Sequence, residues 1–144
     1  ATDPTVKYLS GKVTIYSTSP EMSRKAMVYY LDMSFGDREG LITSKNPETC
    51  TPEQAAFFKE MFTGADYKEN YAILNNYVKS LGDSIPPFIH LYIGLSPTMK
   101  TFGTTFDPDF GDCYDTAMII TTDDIYPDKY KRYVESYEKC KVRK

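Results

Sequence analysis

Val6-Lys7-Tyr8-Leu9-Ser10-Gly11-Lys12-Val13-Thr14-Ile15-Tyr16 reads as a β-strand. Val13 and Ile15 alternate with Lys12, Thr14 and Tyr16, the period of two that sends successive side chains to opposite faces of a sheet. Thr, Val, Ile and Tyr suit a pleated, half-buried surface. Gly11 interrupts the run, which marks a bulge or a close approach to the backbone. No neighbouring stretch offers this strand a hairpin partner. It must pair with strands much later in the sequence, or with something outside the chain, because an unpaired apolar edge invites aggregation.

Helices follow. Ser19-Pro20-Glu21 is a start signal, with Ser19 as N-cap, Pro20 as first helical residue and Glu21 suited to the positive end of the dipole. Met22, Ala26, Tyr29, Tyr30 and Met33 recur at helical spacing up to Phe35, and Gly36 is the expected C-cap. Residues 36–51 read as loop. Thr51-Pro52-Glu53-Gln54 opens a second helix whose apolar face is Ala55, Phe58, Met61 and Phe62, ended by Gly64. Tyr67 to Leu81 is a third, through Tyr71, Leu74, Tyr77 and Val78, ended by Gly82. Ile85-Pro86-Pro87 breaks the chain, and Phe88 to Leu95 is a short apolar helix or an extended run, which periodicity does not separate. Met99 to Phe106 and Tyr114 to Thr122 are strands flanking a turn at Pro108 to Gly111, an expected antiparallel hairpin. Asp123-Asp124 reads as helix capping, and Tyr130 to Tyr137 as a short terminal helix.

Strand, helices and then two strands make an α+β pattern in one domain spanning residues 1–144. With 41% hydrophobic and 15% aromatic residues the chain can bury a core. A net charge of −3 gives no reason to expect nucleic-acid binding. The basic tail, Lys139, Lys141, Arg143 and Lys144, reads as solvated. Cys50, Cys113 and Cys140 are far apart, odd in number and free of any C-x-x-C pair, so neither zinc nor a disulfide framework is expected. Free thiols fit a cytoplasmic location. No apolar run reaches membrane-spanning length, which leaves at most peripheral membrane contact.

Few residues announce chemistry. His90 is the single histidine and its sequence neighbours are apolar, so it reads as a structural residue rather than a general base. There is no nucleophile elbow, P-loop or dinucleotide-binding glycine motif. Asp107, Asp109, Asp112 and Asp115 faintly resemble a calcium loop but lack its spacing and terminal Glu, so a solvated turn is expected and no metal. Leu95-Ser96-Pro97-Thr98-Met99 is either a turn initiator or a loop lining a substrate pocket.

Three stretches together carry a resemblance. They are Val6 to Tyr16 with Met27 to Leu31 and Gly36-Asp37-Arg38-Glu39-Gly40-Leu41-Ile42; Tyr67-Lys68-Glu69-Asn70-Tyr71 through Ile85-Pro86-Pro87; and Gly94-Leu95-Ser96-Pro97-Thr98-Met99-Lys100-Thr101-Phe102-Gly103-Thr104, continuing to Phe110-Gly111-Asp112. In order and spacing the set resembles the C-terminal half of a bacterial family often called hemolysins. These are acyltransferases of N-acetyltransferase-like fold related to the ornithine-lipid and glycine-lipid N-acyltransferases.

The resemblance implies a partial N-acetyltransferase-like fold with a mixed sheet, and transfer of a fatty acyl group to an amino-acid amine in lipid biosynthesis. The donor would be a thioester of acyl carrier protein or acyl-CoA, with no tightly bound cofactor. In that family a backbone N–H on a splayed central strand stabilises the oxyanion, and the pantetheine arm slots between that strand and the next. By that mapping Val13, Ile15 and Tyr16 wall the pantetheine slot, while Ser96, Thr98, Met99 and Phe102 border the acyl or acceptor pocket.

The family's Glu-Leu-Gly-Arg-type segment is absent from these residues, so no catalytic residue carries over. Where the family reads Val-Glu-Glu-Thr-Gly, this chain has Cys113-Tyr114-Asp115-Thr116-Ala117, leaving Asp115 as the acid that would meet the acceptor amine. His90 stands where the family often has a small amide. The expected partner of the first strand is an N-terminal half carrying the catalytic strand. The alternative is a non-catalytic assembly module that pairs this strand with a partner or a second copy. Membrane lysis has no physical support, because no amphipathic basic helix is present.

Overall fold

The computed structural model describes residues 5–135, which form a three-stranded sheet with helices packed on one face. The elements in chain order are β1 (Tyr8–Ile15), α1 (Glu21–Phe35), α2 (Pro52–Met61), α3 (Tyr67–Ser80), α4 (Pro87–Ile93), β2 (Lys100–Asp107), β3 (Cys113–Thr121) and the single turn α5 (Pro127–Tyr130). The short helix expected from Tyr130 starts earlier, at Pro127, as α5 and continues as a π-helical turn over Lys131–Glu135. Its end, the basic tail and Cys140 lie outside the described residues.

The late strands do form an antiparallel pair, with Lys100 opposite Ile119 and Phe106 opposite Tyr114. The first strand also pairs with β3, antiparallel from Tyr8–Thr121 to Ile15–Tyr114. The order is therefore β1-β3-β2, with β3 in the centre. The expected mixed sheet is corrected: all three strands are antiparallel, and the parallel pairing is a lone bridge between Gly36 and Thr101. Gly103, at φ 81°, makes the bulge in β2 between Thr101 and Thr104, where two residues stand against Ala117 of β3.

Register decides the core. Val13, Ile15, Thr116, Met118, Ile120, Thr101 and Thr104 share the helix-covered face and are all buried. On them pack Ala26, Met27, Tyr30 and Leu31 of α1, with Phe58, Leu74, Val78 and Ile89 from the other helices. Burying each large apolar side chain contributes about 1.5–3 kcal/mol. The Thr104 and Thr116 hydroxyls bond each other at 2.6 Å and Thr101 donates to the Leu31 carbonyl, so the buried hydroxyls are satisfied. Gly11 marks a close approach: a Cβ there would lie 2.9 Å from the Tyr92 hydroxyl of α4.

Helix starts match their chemistry unevenly. Thr51 and Gln54 close a capping box on α2, and the Asp66 carboxylate accepts from Lys68 and Glu69 at the head of α3. Ser19 is not the cap of α1. Pro20 occupies that position without a side-chain hydrogen bond, and the Ser19 N–H goes to the Tyr16 carbonyl. Asp124 does not cap a helix either; it accepts the Thr98 hydroxyl at 2.5 Å.

Candidate functional site

The sheet has two edges and they are treated differently. Along β2 the 36–51 loop runs as a cover. Asp37 donates its N–H to the Thr101 carbonyl, Glu48 to Thr104, and Phe106 donates to Asn46. Glu48 anchors this loop to α1 through Arg24 at 3.2 Å and Lys25 at 2.8 Å, with all three side chains nearly buried. Arg24 also stacks 4.2 Å above the Tyr114 ring. Glu48→Ala removes the carboxylate that both cations share, and a loss of about 1–3 kcal/mol is expected in urea unfolding.

Along β1 no strand or bridge pairs with the outer edge among the described residues. The Thr122 N–H donates to the Lys7 carbonyl at 2.9 Å, which makes Lys7–Thr122 a hydrogen-bonded pair. Antiparallel pairing alternates, so Leu9, Gly11, Val13 and Ile15 bond to β3. The N–H and C=O groups of Tyr8, Ser10, Lys12 and Thr14 therefore point outward, ready to pair with a further strand.

Beside that edge, on the helix-free face, Asp115 is the centre of a small polar cluster. It accepts from Lys12 Nζ at 2.7 Å and from Thr14 Oγ1 at 2.5 Å. The Asp115 hydrogen bond holds the Lys12 ammonium above its ordinary pKa. Lys12 also lies 5.0 Å over the exposed Phe110 ring. This carboxylate, expected to receive an acceptor amine, already holds an amine of its own chain.

The expected site residues fall into two groups. Val13, Ile15 and Asp115 sit in the half of β1 and β3 nearest Tyr16. The Val13 and Ile15 side chains are buried in the core, so this strand offers its open edge backbone, not side chains; Tyr16 is exposed. Ser96, Thr98 and Met99 lie toward the other end, while Phe102 sits at the bulge opposite Ala117, two residues along β3 from Asp115. Lys100 aligns with Ile119, five residues along β3 from Tyr114, which is a displacement of about 17 Å. There Ser96 is buried and its Oγ accepts the Thr98 N–H, a serine turn, and Met99 is in the core; Phe102 is half-buried. Ser96, Thr98 and Met99 are therefore separated along the sheet from Val13, Ile15 and Asp115.

Sequence reading missed Lys12, Thr14 and Phe110 around Asp115. The alternation of β1 put Lys12 and Thr14 on one face, but only the register with β3 sets them against Asp115. His90 is not enclosed by the apolar residues that flank it in sequence. It is exposed, and its ring lies 5.4 Å from that of Tyr71. Among the described residues no cluster of His, Cys, Asp and Glu could hold a metal, and no helix is long and apolar enough to cross a membrane.

Two proteins named glycine N(alpha)-acyltransferase are similar to this chain. That of Phocaeicola vulgatus is 38% identical over 136 residues, covering 94% of this chain and 41% of the relative. That of Bacteroides thetaiotaomicron is 39% identical over 137 residues, covering 93% and 40%. The chain thus spans about two fifths of the length of these relatives. No family model and no solved structure matches it significantly.

Proposed function

We propose that this chain, a partial-length relative of the glycine N(alpha)-acyltransferases, is the C-terminal part of an N-acyltransferase that moves a fatty acyl group from a thioester to an amino-acid amine. The observation that carries the proposal is the similarity over nearly the whole chain, in a protein whose sheet has one covered edge and one open edge. Glycine is the first acceptor to try, because the relatives carry it in their names.

The proposed role of β1 is to flank the catalytic strand. Its outward N–H and C=O groups at Ser10, Lys12 and Thr14 supply hydrogen bonds to that strand, or to the amide groups of a pantetheine arm laid in a splayed gap. A thioester needs no activation by this chain: the neutral amine attacks the carbonyl carbon, an oxyanion forms, the C–S bond breaks as the carbonyl re-forms, and the proton lost from nitrogen goes to the departing sulfur, leaving an amide and a free thiol. The oxyanion donor then belongs to the strand across the gap. Acyl carrier protein or acyl-CoA is the proposed donor.

The test is reconstitution. Residues 1–144 alone are expected to transfer no acyl group from an acyl-carrier-protein thioester to glycine. Co-expression with the remaining segment of a relative is expected to restore N-acylglycine formation, detected by mass spectrometry. Activity of the chain alone would sink the partial-enzyme reading, and a folded assembly without acyl transfer would sink the enzymatic one.

The open edge also favours a second reading, in which β1 pairs with β1 of a second copy. Light scattering separates them. A dimer whose formation is lost in Lys12→Pro supports self-pairing, whereas a monomer that gains a partner only with the added segment supports the enzyme.

A further inference from the structure

A cavity of about 340 Å³ lies away from the β1 edge, between the head of α3, the end of α4 and the segment before α5. Its walls are Tyr67, Tyr71, Tyr126, His90, Lys68 and Ile93, with Gly94 at the end of α4. Two properties define its chemistry. The walls are aromatic and aliphatic, and the polar residues that line it are tyrosines, a histidine and a lysine; among the described residues no carboxylate lines it.

Three neighbouring acids have hydrogen-bond partners of their own, although the charge of Asp66 still reaches Tyr67. Asp66 accepts the backbone N–H groups of Lys68 and Glu69, Glu69 accepts from Ala65, and Asp124 accepts from Thr98. The Lys68 ammonium lies 5.9 Å from the centre of the Tyr67 ring. The walls are fixed. The Tyr67 and Tyr126 hydroxyls bond at 3.0 Å, Tyr67 gives its carbonyl to the buried Tyr30 hydroxyl, and Tyr71 is ringed by Tyr30 and His90. A preformed cavity of this size with donors and no acid suits an anion carrying an apolar body.

We propose that this cavity binds a carboxylate with an apolar chain, the carboxylate meeting Lys68 and His90 and the chain lying against Tyr67, Tyr71 and Ile93. Such a carboxylate could come from a free fatty acid or from an N-acylated amino acid, and the chemistry of recognition is the same for both. The proposal rests on the lining of the cavity and not on the acyl-transfer reading.

The single histidine makes the test direct. With imidazole-labelled protein, octanoate is expected to shift the His90 ring resonances saturably in the range up to about 10 mM, while octanol, which lacks the charge, binds at least about tenfold more weakly. Lys68→Glu, at an exposed position, is expected to weaken octanoate by at least about tenfold with an unchanged circular dichroism spectrum. N-octanoylglycine in a parallel titration distinguishes the two sources: tighter binding than octanoate selects the acylated amino acid, and weaker binding selects the fatty acid. Octanol binding as tightly as octanoate, no saturable His90 shift, or indifference to Lys68→Glu would overturn the proposal. Because these arms read binding by the chain alone, the proposal can fail while the acyltransferase reading stands, and the reverse.

Discussion

Val13→Pro is expected to unfold this protein, at a cost of about 3 kcal/mol or more, while Lys12→Pro one residue earlier leaves it folded. The two positions differ in which way the backbone faces. Val13 sits in a hydrogen-bonded pair with Thr116, so proline there deletes a ladder bond to the central strand and also removes a fully buried side chain. Lys12 turns its N–H to the open edge, where proline is tolerated. What Lys12→Pro removes is the donor a further strand would need and an ion pair whose lysine is 55% exposed and so contributes little. Urea unfolding of the two variants checks the fold. In the reconstituted acyl-transfer assay, Lys12→Pro is expected to lower the rate at least about tenfold. Unimpaired reconstitution by Lys12→Pro would remove β1 edge pairing from the mechanism, and equal destabilisation by both substitutions would mean that the ladder is assigned to the wrong residues.

Phe58→Ala is expected to cost about 3–5 kcal/mol and to lower Tm by about 6–20 °C. Phe58 is the one residue of α2 that is fully buried, and it is the centre of an aromatic cluster. Its ring lies 5.5 Å from Tyr29, 6.3 Å from Tyr77 and 6.5 Å from Phe62. Truncation loses that burial and leaves a cavity lined by large rings that cannot collapse into it. A loss of this size is a large share of the stability of an ordinary domain. Phe57, its neighbour in sequence, is 46% exposed, so Phe57→Ala is expected to cost much less. Similar Tm shifts for the two would mean that α2 is not anchored through Phe58.

These paired substitutions show where sequence reading reached and where it stopped. The helical periodicities of α1, α2 and α3 were legible, as were the Thr51–Gln54 capping box and the late hairpin, because each depends on residues a few positions apart. The run from Phe88 to Leu95 was not legible, because a short apolar stretch serves a helix and a buried strand alike. Ser19 looked like a cap, but Pro20 took that place. Ser96 and Thr98 looked equally like a pocket and a turn, and their hydrogen bonds make a turn. The apolar sequence neighbours of His90 did not show that it is exposed beside a tyrosine-walled cavity, because a helix presents alternate faces to core and solvent.

The strand from Val6 to Tyr16 draws the line between the two kinds of knowledge. Its alternation by itself determined that Val13 and Ile15 face a core and that Lys12 and Thr14 do not, since the pleat fixes side-chain direction locally. The ordered motifs by themselves determined the family resemblance. Only the tertiary structure decided that β1 pairs with β3, that β3 lies between it and β2, and that Asp115 meets Lys12 and Thr14. Those outcomes depend on a register between residues about a hundred positions apart, which no local pattern encodes. The same pairing leaves one side of β1 open, because an antiparallel strand bonded to a single neighbour turns half of its backbone groups away from it.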